Sequence, residues 1–444
     1  MSGKPKISSL PLPLSQKAKR TREQPISFLI DMAMSDPRLI NFAAGLVDPR
    51  TLPADATHTI AHSILSNKAE ARKALQYDTT LGLAPLRQEL LKHFEQLEGK
   101  SASSIGLTAD DIVVTNGSQQ ALYLIADVLL DVGDIVIAEN PSYFVYTGAL
   151  SSFGIEIHTA PMDDQGMDVE TVEHLLAKFD RQGQLHRVKF IYVTSYYQNP
   201  TGLTLSLERR VKLVELVKRY AHKHRIIILE DAAYRELRYD GPVLPSMKSM
   251  DPENQFTVIA QTFSKPYAPG VKTGYAAMPK DLMEAVLHQK GNHDFGSSSL
   301  NQYICYEAMR SGAYAKQVET LKADYKMKRD MVLAALEKYM PSDGSVTWTN
   351  PGGGFYTWLT FPRGINTSRN SAFFKEAIEA GVLYVPGEYC SQADETGEIP
   401  LNGLRISFGQ VAPEQIELGI ERLASVVRAQ LSKMASPERV GASR

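Results

Sequence analysis

Cysteine is nearly missing from this chain of 444 residues: Cys305 and Cys390 are its two, and neither stands in a Cys-x-x-Cys pair. A disulfide framework is thereby excluded, and both residues read as reduced, buried thiols of a cytosolic protein. Long apolar runs are also missing. None approaches the roughly 20 residues that a helix needs to cross a bilayer, which excludes an integral helical membrane protein. An excess of either charge is missing too: 48 Lys and Arg face 50 Asp and Glu, a net charge of −2. Nothing in that balance draws the whole molecule to nucleic acid or to an anionic membrane. The first 22 residues, "MSGKPKISSLPLPLSQKAKRTR", lack both acids and a secretory apolar region. Their prolines and missing apolar stripe read as a flexible N-terminal arm (1–23) rather than a transit peptide. No internal repeat is visible.

What is present is an ordinary globular composition, 43% hydrophobic and 22% charged, with length enough for two or three domains. From about residue 105, short apolar runs alternate with helical periods. "DIVVT" (111–115), "DIVIAE" (134–139), "VKFIYVT" (188–194), "IIILED" (226–231) and "FTVIAQTF" (256–263) have strand length and are apolar throughout. Amphipathic stretches separate them; in 205–224 the spacing puts Leu207, Val211, Val214 and Val217 on one helical face. Continuous apolar strands between amphipathic helices imply an α/β fold, with a mainly parallel sheet covered on both faces. After about residue 310 the pattern changes to a long helix, a Gly-rich strand region and a final helix, the signature of a smaller α+β domain. Ligands of such parallel sheets bind beyond the C-terminal strand ends.

Those strand ends carry the chemistry. After 111–115 comes "NGSQQ", where Gly117 permits a tight turn and Ser118 and Gln119 open a helix. Free N–H groups and a hydroxyl suit a phosphate there, although serine is also a common cap. After 134–139 comes Tyr143, a core aromatic or a platform for a flat ring. After 188–194 comes "QNPTG" with the Asn199 amide, in what is also an ordinary turn signal. Asp231 ends an apolar run where a carboxylate needs a partner, and Tyr234 follows. After 256–263 comes "SKPYAPGVKTGY", with Ser264 and Lys265.

One cofactor uses all of these groups: pyridoxal 5′-phosphate. Its aldehyde condenses with a lysine amine, its pyridine nitrogen needs a carboxylate, its phenolic oxygen accepts hydrogen bonds, its ring stacks, and its phosphate sits at a helix N-terminus. Lys265 is then the condensing lysine. A free lysine, with a pKa of about 10.4, is protonated at neutral pH and does not condense. Burial and neighbouring cations are expected to lower that value. Pro266 biases Lys265 towards an extended backbone, as a strand end requires.

With these residues the sequence resembles the class I/II aminotransferases, the fold-type-I pyridoxal-phosphate enzymes, and most of all their 2-aminoadipate/kynurenine aminotransferase-like branch. The resemblance runs from "INFAAGLVDPRTLP" (40–53) to "LRISFG" (404–409), through "NGSQQAL", "NPSYFVY", "QNPTG", "EDAAYRELRY", "TFSKPYAPGVKTGY" and "GGGFYTWL". It implies that Lys265 moves the proton between Cα and C4′, that Asp231 pairs with the pyridinium, and that Tyr234 and Asn199 bond the phenolic oxygen. Tyr143 would stack on the ring, which argues against the acyltransferase branch, where histidine usually does so. Ser118, Gln119, Thr262 and Ser264 would hold the phosphate. Arg405 would clamp the substrate carboxylate with its planar fork, with Asn199 and Gly45 beside it. Tyr77 would reach the neighbouring subunit's phosphate, which implies a homodimer. The implied layout is an N-terminal segment (24–60) packing with the small domain, a large cofactor domain (61–310) and a small C-terminal domain (311–444). Asn140-Pro141 and Asn199-Pro200 are candidates for cis bonds, with at least one expected to be cis.

Two positions depart from the family pattern. Lys272 stands where an arginine usually meets the phosphate; it keeps the charge and loses the fork. Ala44 replaces a glycine beside Gly45, where a methyl group would reshape the pocket. The expected reaction is transfer of an amino group from an L-amino acid to a 2-oxo acid in two half-reactions. The same scaffold also serves lyases and oxygen-dependent amino-acid oxidases, since fold does not settle reaction. A ligand-sensing regulator is disfavoured because about 40 residues precede "INFAAGL", too few for a DNA-binding winged helix. No metal is expected: His222 and His224, two apart on a helix, face away from each other. "GKS" (99–101) lacks the first glycine of a phosphate-binding loop, and "GGG" (352–354) opens a strand rather than a helix.

Overall fold

The computed structural model describes residues 12–222, 224–393 and 397–435. Residues 1–11 of the basic arm therefore lie outside the described residues. Fourteen strands occur among those described. In chain order they are β1 (Ile40–Asn41), β2 (Ile112–Thr115), β3 (Ile135–Asn140), β4 (Glu156–Asp163), β5 (Gly166–Met167), β6 (Val188–Thr194) and β7 (Ile227–Asp231). After these come β8 (Thr257–Thr262), β9 (Gly274–Ala277), β10 (Thr347–Trp348), β11 (Tyr356–Thr360), β12 (Val382–Leu383), β13 (Val385–Pro386) and β14 (Gly403–Ser407).

Eight strands form one sheet in the order β2-β9-β8-β7-β6-β3-β4-β5. Neighbours from β8 through β4 run parallel, whereas β9 is antiparallel to both β2 and β8. The sheet is thus mainly parallel, with helices on its faces and a four-stranded antiparallel sheet, β10-β11-β14-β13, from the C-terminal part. The five strands expected from apolar runs all form, with ends within a residue of those expected. The apolar-run criterion misses β4 and β9. β4 lies near the sheet edge and is only part-buried, and β9 is made of one glycine, two alanines and a tyrosine, without the branched apolar residues that mark the others.

Two-residue alternation explains why the central strands are apolar throughout. In β3, Ile135 and Ile137 join one hydrophobic core while Val136 and Ala138 join the core on the opposite face. In β6, Ile191 and Val193 go one way, Phe190 and Tyr192 the other. With both faces buried, no position is left for a solvent-facing polar residue.

The helix Leu207–Arg219 corrects the expected face. Val214 and Val217 are buried, but Leu207 and Val211 are exposed, and the buried side is completed by Arg210, Leu213 and Leu216. The core stripe is centred one position away because Arg210, fully buried, is part of it. Its guanidinium donates to the carbonyls of Ser195 (2.6 Å), Leu205 (2.9 Å) and Pro245 (3.0 Å), and lies 4.0 Å from the Tyr196 ring centroid. A stripe drawn from apolar residues alone could not include it.

Part of the segment read as a flexible arm is anchored. Gln16–Arg20 is helical; the Lys17 ammonium reaches Asp127 (3.1 Å) and lies over the Phe153 ring, and the Arg20 guanidinium donates to the Ser152 carbonyl (3.0 Å). The helix Pro25–Ser35 follows, and β1 then pairs in parallel with β12, Ile40 opposite Val382. Asn140-Pro141 and Asn199-Pro200 are both cis. Cys305 and Cys390 are free and buried, as expected of thiols inside the core.

Candidate active site

The C-terminal ends of β6, β7 and β8 deliver Thr194, Asp231 and Thr262 to the wall of one cavity of about 280 Å³. Twelve of the residues expected from sequence line it: Gly45, Ser118, Gln119, Tyr143, Asn199, Asp231, Tyr234, Thr262, Ser264, Lys265, Lys272 and Arg405. Tyr77 does not. It is 77% exposed, its ring set edge-on to Phe295 at 5.5 Å between centroids.

Lys265 follows the end of β8, where the Ser264 N–H donates to the Thr262 hydroxyl (3.1 Å) and turns the chain. Its amine donates to the Gly45 carbonyl at 2.9 Å. Burial, then the Arg405 guanidinium, and then Lys272 push its pKa down to about 8, against the pull of Asp231. A substantial fraction of such an amine is neutral near pH 7.5, the form that attacks a carbonyl.

Asp231 ends β7 opposite Thr194 of β6. One carboxylate oxygen accepts from the Tyr192 hydroxyl (3.0 Å), the other from the Ala233 N–H (3.2 Å). Burial outweighs these bonds and the Lys265 charge, raising the pKa to about 6. At neutral pH this is an ionised but poorly solvated carboxylate, suited to hold a protonated ring nitrogen.

Arg405 sits in the middle of β14 and is 2% exposed, so it is not a surface arginine. Its fork donates to Asn199 Oδ1 (2.8 Å) and to the Ala43 carbonyl (2.5 Å), and its guanidinium lies 4.5 Å from the centroid of Tyr356. Its Nε is buried without a partner. Tyr356, in β11, also meets the Tyr234 hydroxyl at 3.0 Å. A Cβ on Gly45 would come within 2.3 Å of the Tyr356 hydroxyl, so glycine there leaves room for the phenol. Ala44 lines the same wall, its methyl buried.

On the opposite side, Gly117 (φ 73°) precedes the helix Ser118–Leu129, whose N-terminus carries no side-chain cap. Gly274 keeps this turn close to the sheet, since a Cβ there would lie 2.5 Å from the Ser118 nitrogen. The Thr262 and Ser264 hydroxyls meet at 3.0 Å beside it. Lys272 adopts a left-handed backbone (φ 49°) with its N–H donating to the Pro269 carbonyl (3.2 Å), and its exposed ammonium makes no hydrogen bond or ion pair among the described residues.

Sequence reasoning missed several lining residues or partners. Tyr192 looks like core, and its only signal is that a phenol in a fully buried strand needs an acceptor. Tyr356 lies in the quoted "GGGFYTWL" but has no marker of its own. Ile26 and Ile30, from the helix Pro25–Ser35, and Phe144 and Val145, after Tyr143, form apolar walls that only the fold brings in.

The donor set fits pyridoxal phosphate. It offers a depressed lysine amine, a desolvated carboxylate, three phenols, an uncapped helix N-terminus with hydroxyls nearby, and a guanidinium with an orphaned nitrogen. Three cations, Lys265, Lys272 and Arg405, face one carboxylate, the excess that an anionic phosphate and a substrate carboxylate would neutralise. Fold and site together define a fold-type-I pyridoxal-phosphate enzyme.

Comparison with known proteins narrows this. Residues 37–423 match the family "Aminotransferase class I and II". The chain is 34% identical over 420 residues to aromatic-amino-acid aminotransferase 1 of Thermococcus litoralis, covering 94% of this chain and 95% of that one. It is 31% identical to the 2-aminoadipate transaminase of Thermus thermophilus, covering 89% and 92%. The kynurenine aminotransferase of Pyrococcus horikoshii, solved in complex with PMP, superposes with a TM-score of 0.85 at 34% identity, covering 94% and 98% of the two chains. The chain belongs to the class I and II aminotransferase family, and it is a pyridoxal-phosphate-dependent aminotransferase.

Proposed function

We propose that this aminotransferase takes its amino group from an L-amino acid with an aromatic or large apolar side chain and passes it to a 2-oxo acid in alternating half-reactions. The observation that carries the donor assignment is the cavity wall. Among the described residues its cationic side chains are Lys265, Lys272 and Arg405, and Ile26, Ile30, Leu46, Phe144 and Val145 line the same cavity. A distal carboxylate placed among them would be desolvated without a partner. The name of the Thermococcus litoralis relative agrees with this reading.

When bound, pyridoxal phosphate supplies an electron sink that lowers the barrier to removing the substrate's Cα proton. The chain's own residues do the rest. The Arg405 guanidinium grips the substrate α-carboxylate, with Asn199 Oδ1 steering one arm of its fork. The Lys265 amine, already neutral in part, would hold the cofactor when substrate is absent and, once free, would take the proton from the substrate Cα and return it on the other side of the transferred nitrogen. Asp231, fixed by Tyr192, holds a proton on the ring nitrogen. Tyr234 and Asn199 serve the phenolic oxygen and Tyr143 the ring face. Ser118, Gln119, Thr262, Ser264 and Lys272 hold the phosphate, the last as a point charge without a bidentate fork. Gly45 and the apolar wall leave room for the side chain and keep water out. We further assign Tyr77 to the neighbouring site of a homodimer, the chain dividing into a segment 24–60, a large domain 61–310 and a small domain 311–444.

The test is an absorption titration of the purified, cofactor-loaded protein against a donor panel. Phenylalanine should convert the bound cofactor with a kcat/KM at least about tenfold above glutamate or 2-aminoadipate, consistent with burying an uncompensated charge. A 2-oxo acid should then restore the starting spectrum. Preference for a dicarboxylic donor would overturn the apolar assignment, and failure to take up pyridoxal phosphate covalently would overturn that of Lys265.

A further inference from the structure

The turn assigned above to the cofactor phosphate is held from behind by a group outside the cavity. Asp294 is the last residue of the helix Lys280–Asp294. Its carboxylate accepts three hydrogen bonds from side chains. Oδ1 takes one from the Lys290 ammonium (2.8 Å), which is itself fully buried. Oδ2 takes one from the Asn116 amide (2.8 Å) and one from the Gln120 amide (2.6 Å). Asn116 and Gln120 bracket Gly117, Ser118 and Gln119. The far end of the Gln120 amide closes the loop by accepting from the Asn116 backbone N–H (2.8 Å).

Asp294 is fixed in its turn. The next residue, Phe295, takes a left-handed backbone (φ 59°), and its carbonyl accepts from the Thr80 hydroxyl (2.8 Å). The carboxylate is mostly covered, its side chain 16% exposed, and Lys290 compensates its charge. An uncapped helix start after a glycine is free to reorient, and free backbone N–H groups bind an anion well only if their direction is set beforehand. Two amides held by one carboxylate, on either side of a three-residue turn, set that direction.

We propose that Asp294 is a positioning residue: through Asn116 and Gln120 it orients the Gly117–Gln119 turn for the cofactor phosphate, a reading that rests on the assignment of that turn to the phosphate. Asp294 does not line the cavity. Asparagine at 294 keeps one acceptor oxygen: turned towards the amides it leaves the buried Lys290 ammonium facing an NH2 group, turned towards Lys290 it leaves both amides without their acceptor, and in either case the charge that fixes the turn is gone.

The experiment compares cofactor-free wild type, Asp294→Asn, Gln120→Met and Ser118→Ala. Binding of pyridoxal phosphate and of pyridoxal, which lacks the phosphate, is titrated by absorbance. Inorganic phosphate is titrated by its effect on the melting temperature. Asp294→Asn and Gln120→Met should each weaken pyridoxal phosphate about tenfold, the scale of one charge-assisted hydrogen bond, and shrink the phosphate-induced melting shift. Pyridoxal affinity should stay within about twofold, a split that general loosening of the fold would not give. If Asp294→Asn does not fold, Gln120→Met decides. Unchanged pyridoxal phosphate affinity in a folded variant, or parallel loss for both ligands, overturns the role of Asp294. If Ser118→Ala also binds pyridoxal phosphate and phosphate like wild type, the phosphate assignment itself is wrong.

Discussion

Asp231 shows a residue held against its own preference. Burial raises its pKa from 3.8 to about 6, so the folded, cofactor-free chain disfavours the ionised form, the one that the proposed pairing with a protonated ring nitrogen requires. The sign follows from linkage. A carboxyl with a raised folded value costs stability above that value, and the cost vanishes as the pH falls below its unfolded value near 4. The shift corresponds to about 3 kcal/mol at most. Cofactor-free Asp231→Asn should therefore melt a few degrees above cofactor-free wild type at pH 8, with the gap closing towards pH 4, while its affinity for pyridoxal phosphate falls. Calorimetry of both proteins across that range checks this, and a lower melting temperature for the variant at pH 8 would refute it. The same scale accounts for what the sequence concealed. Lys265, Asp231 and Asn199 stand at readable strand ends, but Tyr192 and Tyr356 are aromatics among aromatics until a distance marks them out.

At the scale of elements, the helix Leu207–Arg219 separates composition from burial. Leu207 is 45% exposed and Leu213 is fully buried, although both are leucines of one amphipathic stretch. Leu213→Ala should cost about 2–5 kcal/mol, from lost transfer energy and the cavity left behind. Leu207→Ala should stay within about 0.5 kcal/mol, as surface changes usually do. Urea denaturation of the two variants distinguishes them, and equal losses would mean that the helix is rotated from its described setting. Strands were more legible than helix faces for a physical reason. A strand buried on both sides needs only to be apolar and short, whereas the helical face depends on which residues the neighbours can satisfy. Arg210 belongs to the core because three carbonyls and a ring await it, and β4 escaped notice because a part-buried strand next to the sheet edge need not be apolar.

At the scale of the whole molecule, the exposed pair Tyr77 and Phe295 is the feature a single chain leaves unfinished. If the homodimer assignment holds, sedimentation should give twice the monomer mass. Tyr77→Ala should then remain dimeric and bind pyridoxal phosphate several-fold more weakly, since one phosphate hydrogen bond is lost. A monomer with undiminished cofactor affinity would reject both the dimer and the role of Tyr77.

The sequence by itself determined the order of strands and turns and the chemical groups at each strand end. Apolar runs, glycine turns and Asn-Pro signals act over a few residues, so they can be read locally. It also carried the family, through motifs spread along most of the chain. Only the tertiary structure decided that Arg405 is buried, that its fork meets Asn199 across 206 residues, and that Lys265 meets Gly45 across 220. It alone brought Ile26 and Ile30 to the cavity wall and Asp294 behind the Gly117–Gln119 turn. Each of these contacts joins segments that no local pattern connects, and each forms because the sheet and its covering helices leave a partnerless polar group or an open apolar wall there.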